Sequence, residues 1–323
     1  MLAGFAALRR RCRPHIGSGV STARITLAIP FYGRTDFLGT ALASLQSQTV
    51  RDWVALVIDD CSPSNQAQAL VASLDDPRIG YIRNERNLGL AGNWNRCIEA
   101  SGTPLVALLH GDDELMPDYV EKMLTAHERW QDAAAVFCGA QVIDDQGVRM
   151  FSFRDQVKQW LLPNRTQPFE LAGESGMISL LRGNFIMCPT LCYKRSLFEK
   201  LRFSADWRMV LDVDLYLRAL IAGCSFVGLP DVAYRYRRHA TQVTAECERN
   251  LRLFSEETAL WSWAAREARS LGWHRAAKVA RNMTIIKLQL GYYILADALR
   301  LQLGEAWKKT VQLGATWTAS RYL

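Results

Sequence analysis

Residues 25–62 read ITLAIPFYGRTDFLGTALASLQSQTVRDWVALVIDDCS, and residues 104–113 read PLVALLHGDD. Arg24 to Pro30 is a short apolar run closed by proline, the mark of a strand. From Thr35 to Gln48, Phe37, Leu38, Ala41, Leu42 and Leu45 recur at helical spacing. Trp53 to Ile58 is a second uninterrupted apolar run, and it stops at Asp59-Asp60. Pro63 to Leu74 predicts a helix, Ile79 to Arg83 a strand and Leu90 to Ala100 a helix. Pro104 to Leu109 predicts a fourth strand, ending in His110-Gly111-Asp112-Asp113, and Pro117 opens a helix at a favoured position. Continuous apolar strands that alternate with helices imply a Rossmann-like α/β fold, a mostly parallel sheet with helices on both faces. Such sheets bind ligands at the carboxyl ends of their strands. Both aspartate pairs fall there.

Further along, the pattern loosens. Ala134 to Cys138 and Pro189 to Tyr193 predict strands, Met177 to Leu181 a short helical turn, and Val210 to Ala222 an amphipathic helix. Residues 150–175, with Pro163 and Pro168, read as irregular. Ser225 to Leu229 and Val232 to Arg237 read as two closing strands, and from Ala245 on only helices are expected. The expected organisation is a disordered basic tail at 1–24, an α/β domain at 25–244 and a helical region at 245–323. A chain of 323 residues, 49% hydrophobic, suffices for that. With 22% charged residues and ten tryptophans it is not a disordered composition.

The best apolar stretch, Met283 to Gly304, is broken by Lys287, Asp297 and Arg300, so no transmembrane helix is expected. Apolar Met1 to Leu8 precedes Arg9, Arg10, Arg11 and Arg13, the reverse of a secretory signal's order. The eight cysteines form no CxxC pair and read as reduced residues of a cytoplasmic protein. The net charge of +7 sits at the ends: the tail holds five arginines and no acid, and residues 274–323 hold eight Lys/Arg against Asp297 and Glu305. Basic ends suit an anionic surface such as phospholipid headgroups, with peripheral membrane contact, better than a nucleic-acid-binding core. Solvated lysines on helix faces produce the same count. Val279, Met283, Ile286, Leu290 and Tyr293 form one apolar stripe, which either packs on its own domain or lies in a membrane interface.

The chemistry is carried by the strand ends. Asp112-Asp113, after a buried strand, suits Mg²⁺ or Mn²⁺ shared with substrate phosphates; a turn or helix cap is the plainer alternative. Asp59-Asp60 offers acceptors for a base N–H or a ribose hydroxyl, with Asp60 or Ser62 as a cap for the next helix. No GxxxxGK[ST] and no GxGxxG after the first strand occur, which disfavours a P-loop NTPase and a dinucleotide oxidoreductase.

Taken jointly, the block from Ile29 to Ser62, with its S-L-x-x-Q-T and strand-D-D-x-S, and NERNLGLAGNWNRCIEASGTPLVALLHGDDELMPDYV at 84–120 resemble the family 2 glycosyltransferases of the GT-A fold. The resemblance covers 25–121 almost without a gap. It implies an inverting, metal-assisted transfer from a nucleotide-diphosphate sugar, usually UDP-linked, to a hydroxyl of a glycan or lipid-linked acceptor. The setting it implies is cell-envelope polysaccharide biosynthesis on the cytoplasmic side. Asp113 with Asp112 would hold Mn²⁺ or Mg²⁺. Pro30, Tyr32, Asp59, Asp60, Asn87 and Asn93 would bind the nucleoside. LDVDLYLR at 211–218 resembles the family's acid pair before a helix ending in Arg; Asp212 takes the position of the catalytic base, Asp214 is the runner-up, and Leu211 stands where Glu is usual. YRYRRH at 234–239 resembles the late tyrosine-arginine-x-histidine segment, which implies Arg235 at the diphosphate and His239 at the metal. His110 and Trp94 read as structural. The lost Glu keeps a second class open, a degenerate module that binds a nucleotide sugar or membrane partner without turnover.

Overall fold

A computed structural model of the chain describes residues 23–239 and 251–322. Residues 1–22 of the tail expected at 1–24, and the boundary expected at residues 244/245, lie outside the described residues. The chain divides into two compact units. One comprises the chain up to Phe151 with Met187–Phe203 and Val227–Arg237; the other comprises Ser152–Ile186, Ser204–Phe226 and the chain from Arg238 on.

The first unit begins with β1 (Ile25–Phe31), α1 (Leu38–Gln46), β2 (Trp53–Asp59), α2 (Gln66–Ser73), β3 (Ile79–Arg83), α3 (Gly89–Ala100) and β4 (Leu105–Leu108). β3, β2, β1 and β4 are neighbours in that order and all parallel, with Ile25 opposite both Trp53 and Leu105. Every residue of β2 is buried, because helices cover both faces of a parallel sheet. Arg24, read as the last residue of the tail, is already in this ladder: its N–H donates to the Asp52 carbonyl and its carbonyl accepts from Leu105.

Past β4 the direction reverses. β5 (Glu114–Leu115), α4 (Tyr119–Arg129) and β6 (Ala135–Ile143) follow; β7 (Phe169–Ala172) falls in the second unit, and β8 (Leu191–Lys194) and β9 (Ser225–Arg237) complete the strands. β8 pairs antiparallel with β4 and β6, and β9 antiparallel with β5, so the sheet is parallel on one side and antiparallel on the other. The two closing strands expected at 225–237 are one strand. Pro230 sits inside it, since a proline φ suits extended backbone and only its missing N–H is lost to the ladder.

The resemblance motifs have architectural roles here. The Gln48 side chain donates to the carbonyls of Ser44 (3.0 Å) and Met116 (2.9 Å) and accepts from the Val120 N–H (3.0 Å). It thus satisfies an orphan donor at the start of α4 from across the sequence. Thr49 adds a backbone bond to the Pro117 carbonyl and a hydroxyl bond to Glu121. Burial pushes the thiols of Cys97, Cys138 and Cys192 up, in keeping with reduced core cysteines.

The second unit holds α5 (Phe153–Leu161), β7, α6 (Gly173–Arg182), α7 (Leu211–Ile221), α8 (Arg252–Ser270), α9 (His274–Asn282), α10 (Thr284–Leu299) and α11 (Leu303–Tyr322). Residues 150–175, expected to be irregular, therefore carry α5 and β7. The apolar stripe expected on one helix is divided between two, because Met283 takes a left-handed φ of +49° between α9 and α10. Met283, Ile286 and Leu290 are wholly buried, so this stripe is a packing face. Among the described residues no helix is long and apolar enough to cross a membrane.

Gln48→Leu keeps the bulk but leaves the Met116 carbonyl and the Val120 N–H unpaired. We expect a loss of roughly 2–4 kcal/mol, read as a lower midpoint in urea unfolding with an unchanged slope.

Candidate functional site

Parallel strands deliver their last residues to one edge, and the first unit gathers its polar side chains there. Asp59 ends β2, wholly buried; one oxygen accepts the Ser62 N–H (2.8 Å) and the other the Tyr81 hydroxyl (2.5 Å). Burial first, and Asp59 second, push that hydroxyl up to about 12. The Asp60 carboxylate accepts from the Leu88 N–H (2.8 Å), the Gly89 N–H (3.0 Å) and the Asn84 amide (2.9 Å). Asn84 also donates to Asn93 (3.0 Å), which donates to the Ile58 carbonyl (3.1 Å). Asn87 accepts from the Gly89 N–H (2.9 Å), and Gly89 sits at φ +73°, where a side chain is strained. This network stitches the end of β2 to the start of α3. It occupies three of the roughly four acceptor positions of the Asp60 carboxylate. Asn84, absent from the sequence expectations, is its hub. Pro30 lies half-buried in β1, and Tyr32 just beyond is 60% exposed.

At the end of β4 a second cluster forms. One ligand atom from each of His110, Asp112 and Asp113 lies within 4.8 Å of the others. Asp113 is buried; its carboxylate accepts the Arg237 N–H (2.8 Å) and the Tyr234 hydroxyl (2.9 Å). Burial, then the charge of Asp112, holds this carboxyl well above the usual range. His110 Nδ1 stands 3.7 Å from Asp113, and burial pushes its imidazole down, towards the neutral form that ligates metals. Its Nε2 is buried without a hydrogen-bond partner. Trp94, itself buried, stacks against the imidazole at 5.5 Å and meets Phe203 edge-on. Two adjacent carboxylates, one of them held above its usual range, beside an orphaned neutral imidazole fit a divalent cation. Sequence reasoning read His110 as structural; the signal was its place two residues ahead of the acid pair.

The basic residues of β9 serve this cluster indirectly. Arg235 and Arg237, two apart on a strand, share a face. Both pair with Glu114 on the facing β5, and Arg237 is nearly inaccessible. Arg235 also reaches the Gly147 carbonyl (2.6 Å), and Arg237 the carbonyls of Asp112 (2.8 Å) and Asp144 (2.8 Å). These guanidiniums are engaged by protein groups. His239 is half-buried and belongs to the second unit.

The acids at 212 and 214 lie in the first turn of α7, in the second unit. Asp214 is buried and tied to Arg218 through Nε (3.0 Å) and Nη2 (2.6 Å). Asp212 is half-buried, and burial raises its carboxyl to about 6.

The pattern described as Glycosyl transferase family 2 matches residues 26–201, over half of the chain. The succinoglycan biosynthesis protein ExoO of Rhizobium meliloti is 31% identical over 222 residues, 66% of this chain and 60% of that protein. The putative colanic acid biosynthesis glycosyl transferase WcaA of Escherichia coli is 32% identical over 198 residues, 61% of this chain and 66% of that protein. The chain thus spans less than two thirds of the length of either relative. Among solved structures, S. aureus TarS 1-349 in complex with UDP-GlcNAc aligns with a TM-score of 0.59 at 14% identity, over 92% of this chain and 90% of that one. The mannosyltransferase PcManGT from Pyrobaculum calidifontis, in complex with GDP-Man and Mn²⁺, aligns with a TM-score of 0.59 at 15% identity, over 98% and 92%. At such identities the likeness concerns the fold, which is GT-A-like.

Glu114→Gln removes the carboxylate charge that the buried Arg237 pairs with. We expect a stability loss of ~3–5 kcal/mol, measured by chemical denaturation, and a smaller loss for Arg235→Gln, whose side chain is a third exposed.

Proposed function

Because the chain belongs to glycosyl transferase family 2, we propose that it is an inverting enzyme that moves a sugar from a nucleotide-diphosphate donor to a hydroxyl of a glycan or lipid-linked acceptor. The observation that carries this reading is the His110–Asp112–Asp113 cluster at the end of the parallel strand β4, where α/β sheets receive ligands. UDP is the family's usual carrier. The place of action in this reading is the cytoplasmic side of the cell envelope, in polysaccharide assembly.

A bound Mn²⁺ or Mg²⁺ would neutralise charge that develops on the departing diphosphate. Asp112 and Asp113 hold it in this proposal. His110 is the imidazole gathered beside them, and His239 is the one the resemblance offers. Tyr234 and the Arg237 N–H keep the Asp113 carboxylate aimed. Tyr32, with Pro30 beneath, gives a free aromatic surface for the base; Asp59, Asp60, Asn87 and Asn93 shape and line the nucleoside pocket. Arg235 acts through Glu114, as a positioning residue.

Asp212 is the general base. It takes the proton of the acceptor hydroxyl as that oxygen attacks the anomeric carbon, while the bond to the diphosphate breaks with its electrons on the leaving oxygen. A single displacement inverts the anomeric centre. Two observations support Asp212 over Asp214: Asp214 is neutralised by Arg218, and a carboxyl raised to about 6 is a better base near neutrality than an ordinary one. Leu211 favours a second reading, a binder without turnover, since it fills the position of the usual Glu and is itself buried. Donor hydrolysis at high protein concentration separates the two.

Four outcomes test the proposal. Asp113→Asn should lower donor turnover at saturating Mn²⁺ by ~10²-fold or more, about 3 kcal/mol of transition-state stabilisation; near-normal turnover in a folded variant would remove the metal assignment. In calorimetric titration with Mn²⁺ and UDP, His110→Gln should weaken the ion by ~10-fold, and the parallel His239→Gln titration decides which imidazole ligates. Asp212→Asn should abolish transfer but preserve nucleotide-diphosphate binding. The wild-type kcat/KM should fall tenfold per pH unit below about 6, because Asp212 is deprotonated and active above its raised value and protonated below it.

A further inference from the structure

The last two helices of the second unit form a hairpin with its polarity reversed. α10 and α11 run antiparallel: Lys287 donates to Ser320 (2.9 Å) near one end, and Lys309 pairs with Asp297 towards the other. The hairpin's lysines and acids are engaged within it. Lys309–Asp297 is buried, Lys308 pairs with Glu305, and the Lys287 ammonium lies 3.9 Å from the Trp317 ring centre.

The outer face is apolar. Leu288, Tyr292, Leu295 and Leu299 follow at steps of four, three and four on α10, all exposed, and no exposed residue of that helix is charged. The turn continues the face with Leu301, 83% exposed, and Leu303, 67% exposed; Trp307, at 69%, and Val311 extend it along α11. A groove of about 240 Å³, lined by Leu181, Arg182, Val279, Asn282, Ile285 and Leu288, shares Leu288 with this face. Apolar surface this continuous marks an interaction site.

Charge says what covers it. Residues 274–323 carry eight Lys/Arg and two acids, and both acids are paired with lysines of the hairpin. Arg300 stands in the turn between the exposed leucines, and Arg281 and Arg321 lie at the opposite end. A second copy across a two-fold axis would bring the same positive charge against itself. An anionic bilayer brings the opposite charge to each of these groups. The convex turn can enter a headgroup layer, and Tyr292, Trp307 and Trp317 are the residue types that settle at that depth. With no helix among the described residues long and apolar enough to cross a bilayer, the hairpin would lie in its interface.

We propose that the outer face of the α10–α11 hairpin docks the protein on an anionic phospholipid surface, with Leu299, Leu301, Leu303 and Trp307 inserted and Arg300 at the headgroups. This face is different from the buried middle of the 279–293 stripe, Met283, Ile286 and Leu290. The glycosyltransferase reading supplies only the purpose, access to a lipid-linked acceptor; the contact itself does not depend on it.

The test uses the full chain, sedimented with vesicles of phosphatidylcholine alone or mixed with phosphatidylglycerol, at low and high salt. A triple variant, Leu299→Gln with Leu301→Asn and Leu303→Gln, alters only exposed side chains, and Asn tolerates the left-handed φ of +59° at 301. The wild type should co-sediment with the mixed vesicles and less so in high salt. The triple variant should bind ~10-fold more weakly or worse, and Arg300→Gln about fivefold more weakly on anionic vesicles, both with unchanged melting temperature. Wild-type protein left in the supernatant with both vesicle types overturns the proposal, as does a triple variant that sediments equally. A dimer in sedimentation equilibrium that the triple variant splits, without vesicle binding, gives the face to a second copy and also overturns it. Donor turnover is measured in parallel, so absent turnover with intact vesicle binding removes the enzyme reading and leaves the docking standing.

Discussion

Glu114, clasped by Arg235 and Arg237, is the interaction on which the arrangement at the end of β4 depends. β5 is only two residues long and cannot hold its place by its own ladder. Two charge-assisted pairs from one face of β9 fix it, in surroundings where their electrostatic strength is little screened. That contact sets Arg237 so that its N–H meets the Asp113 carboxylate and its Nε the Asp112 carbonyl. The acid pair is thereby aimed by the residues behind it. The same low dielectric raises Asp113 out of the ordinary carboxylate range, and so makes the cluster receptive to a cation.

A similar economy governs the edge between β2 and α3. Asp60, Asn84 and Asn93 spend their hydrogen bonds on one another and on backbone groups of the strand end and the loop. A loop held in this way can present exposed groups to a ligand without rearranging, which lowers the ordering cost of binding. Residues that the resemblance offers as nucleoside ligands spend their hydrogen bonds here on the strand end and the loop, while Tyr32 is exposed. Gln48 does the same service at a distance, joining the α1 end to the α4 start.

The second unit separates its acids by environment. Asp214 has Arg218 one helical turn away and loses its availability; Asp212 has burial without a pairing partner of that kind, and its proton is held more tightly. Two carboxylates two residues apart thus acquire different chemistry. Its last hairpin departs from ordinary surface economy, with the Lys309–Asp297 pair turned inward and leucines outward. The water-exposed apolar area is a standing cost that association with another phase relieves.

The sequence by itself determined the parallel half of the fold and its binding edge. Strands covered on both faces must be apolar throughout, so β1, β2 and β4 appear as unbroken runs, and the polar residues after them can only be strand ends. The acid pairs at 59–60 and 112–113 were legible for that reason, and the acids before 218 through the resemblance of LDVDLYLR to the family's pattern. The tertiary structure alone decided what each polar group faces. Glu114 meets Arg235 across 121 residues of chain, a pairing no local pattern encodes. His110 joins the acids because a turn folds it back and Trp94 holds its ring. β9 runs through Pro230, and α9 ends at Met283, because packing outweighs local propensity at those points. Periodicity shows that a helix has an apolar face, and only its neighbours decide which face is buried: Ile286 and Leu290 found partners in the fold, while Leu288, Leu295 and Leu299 on the same helix did not.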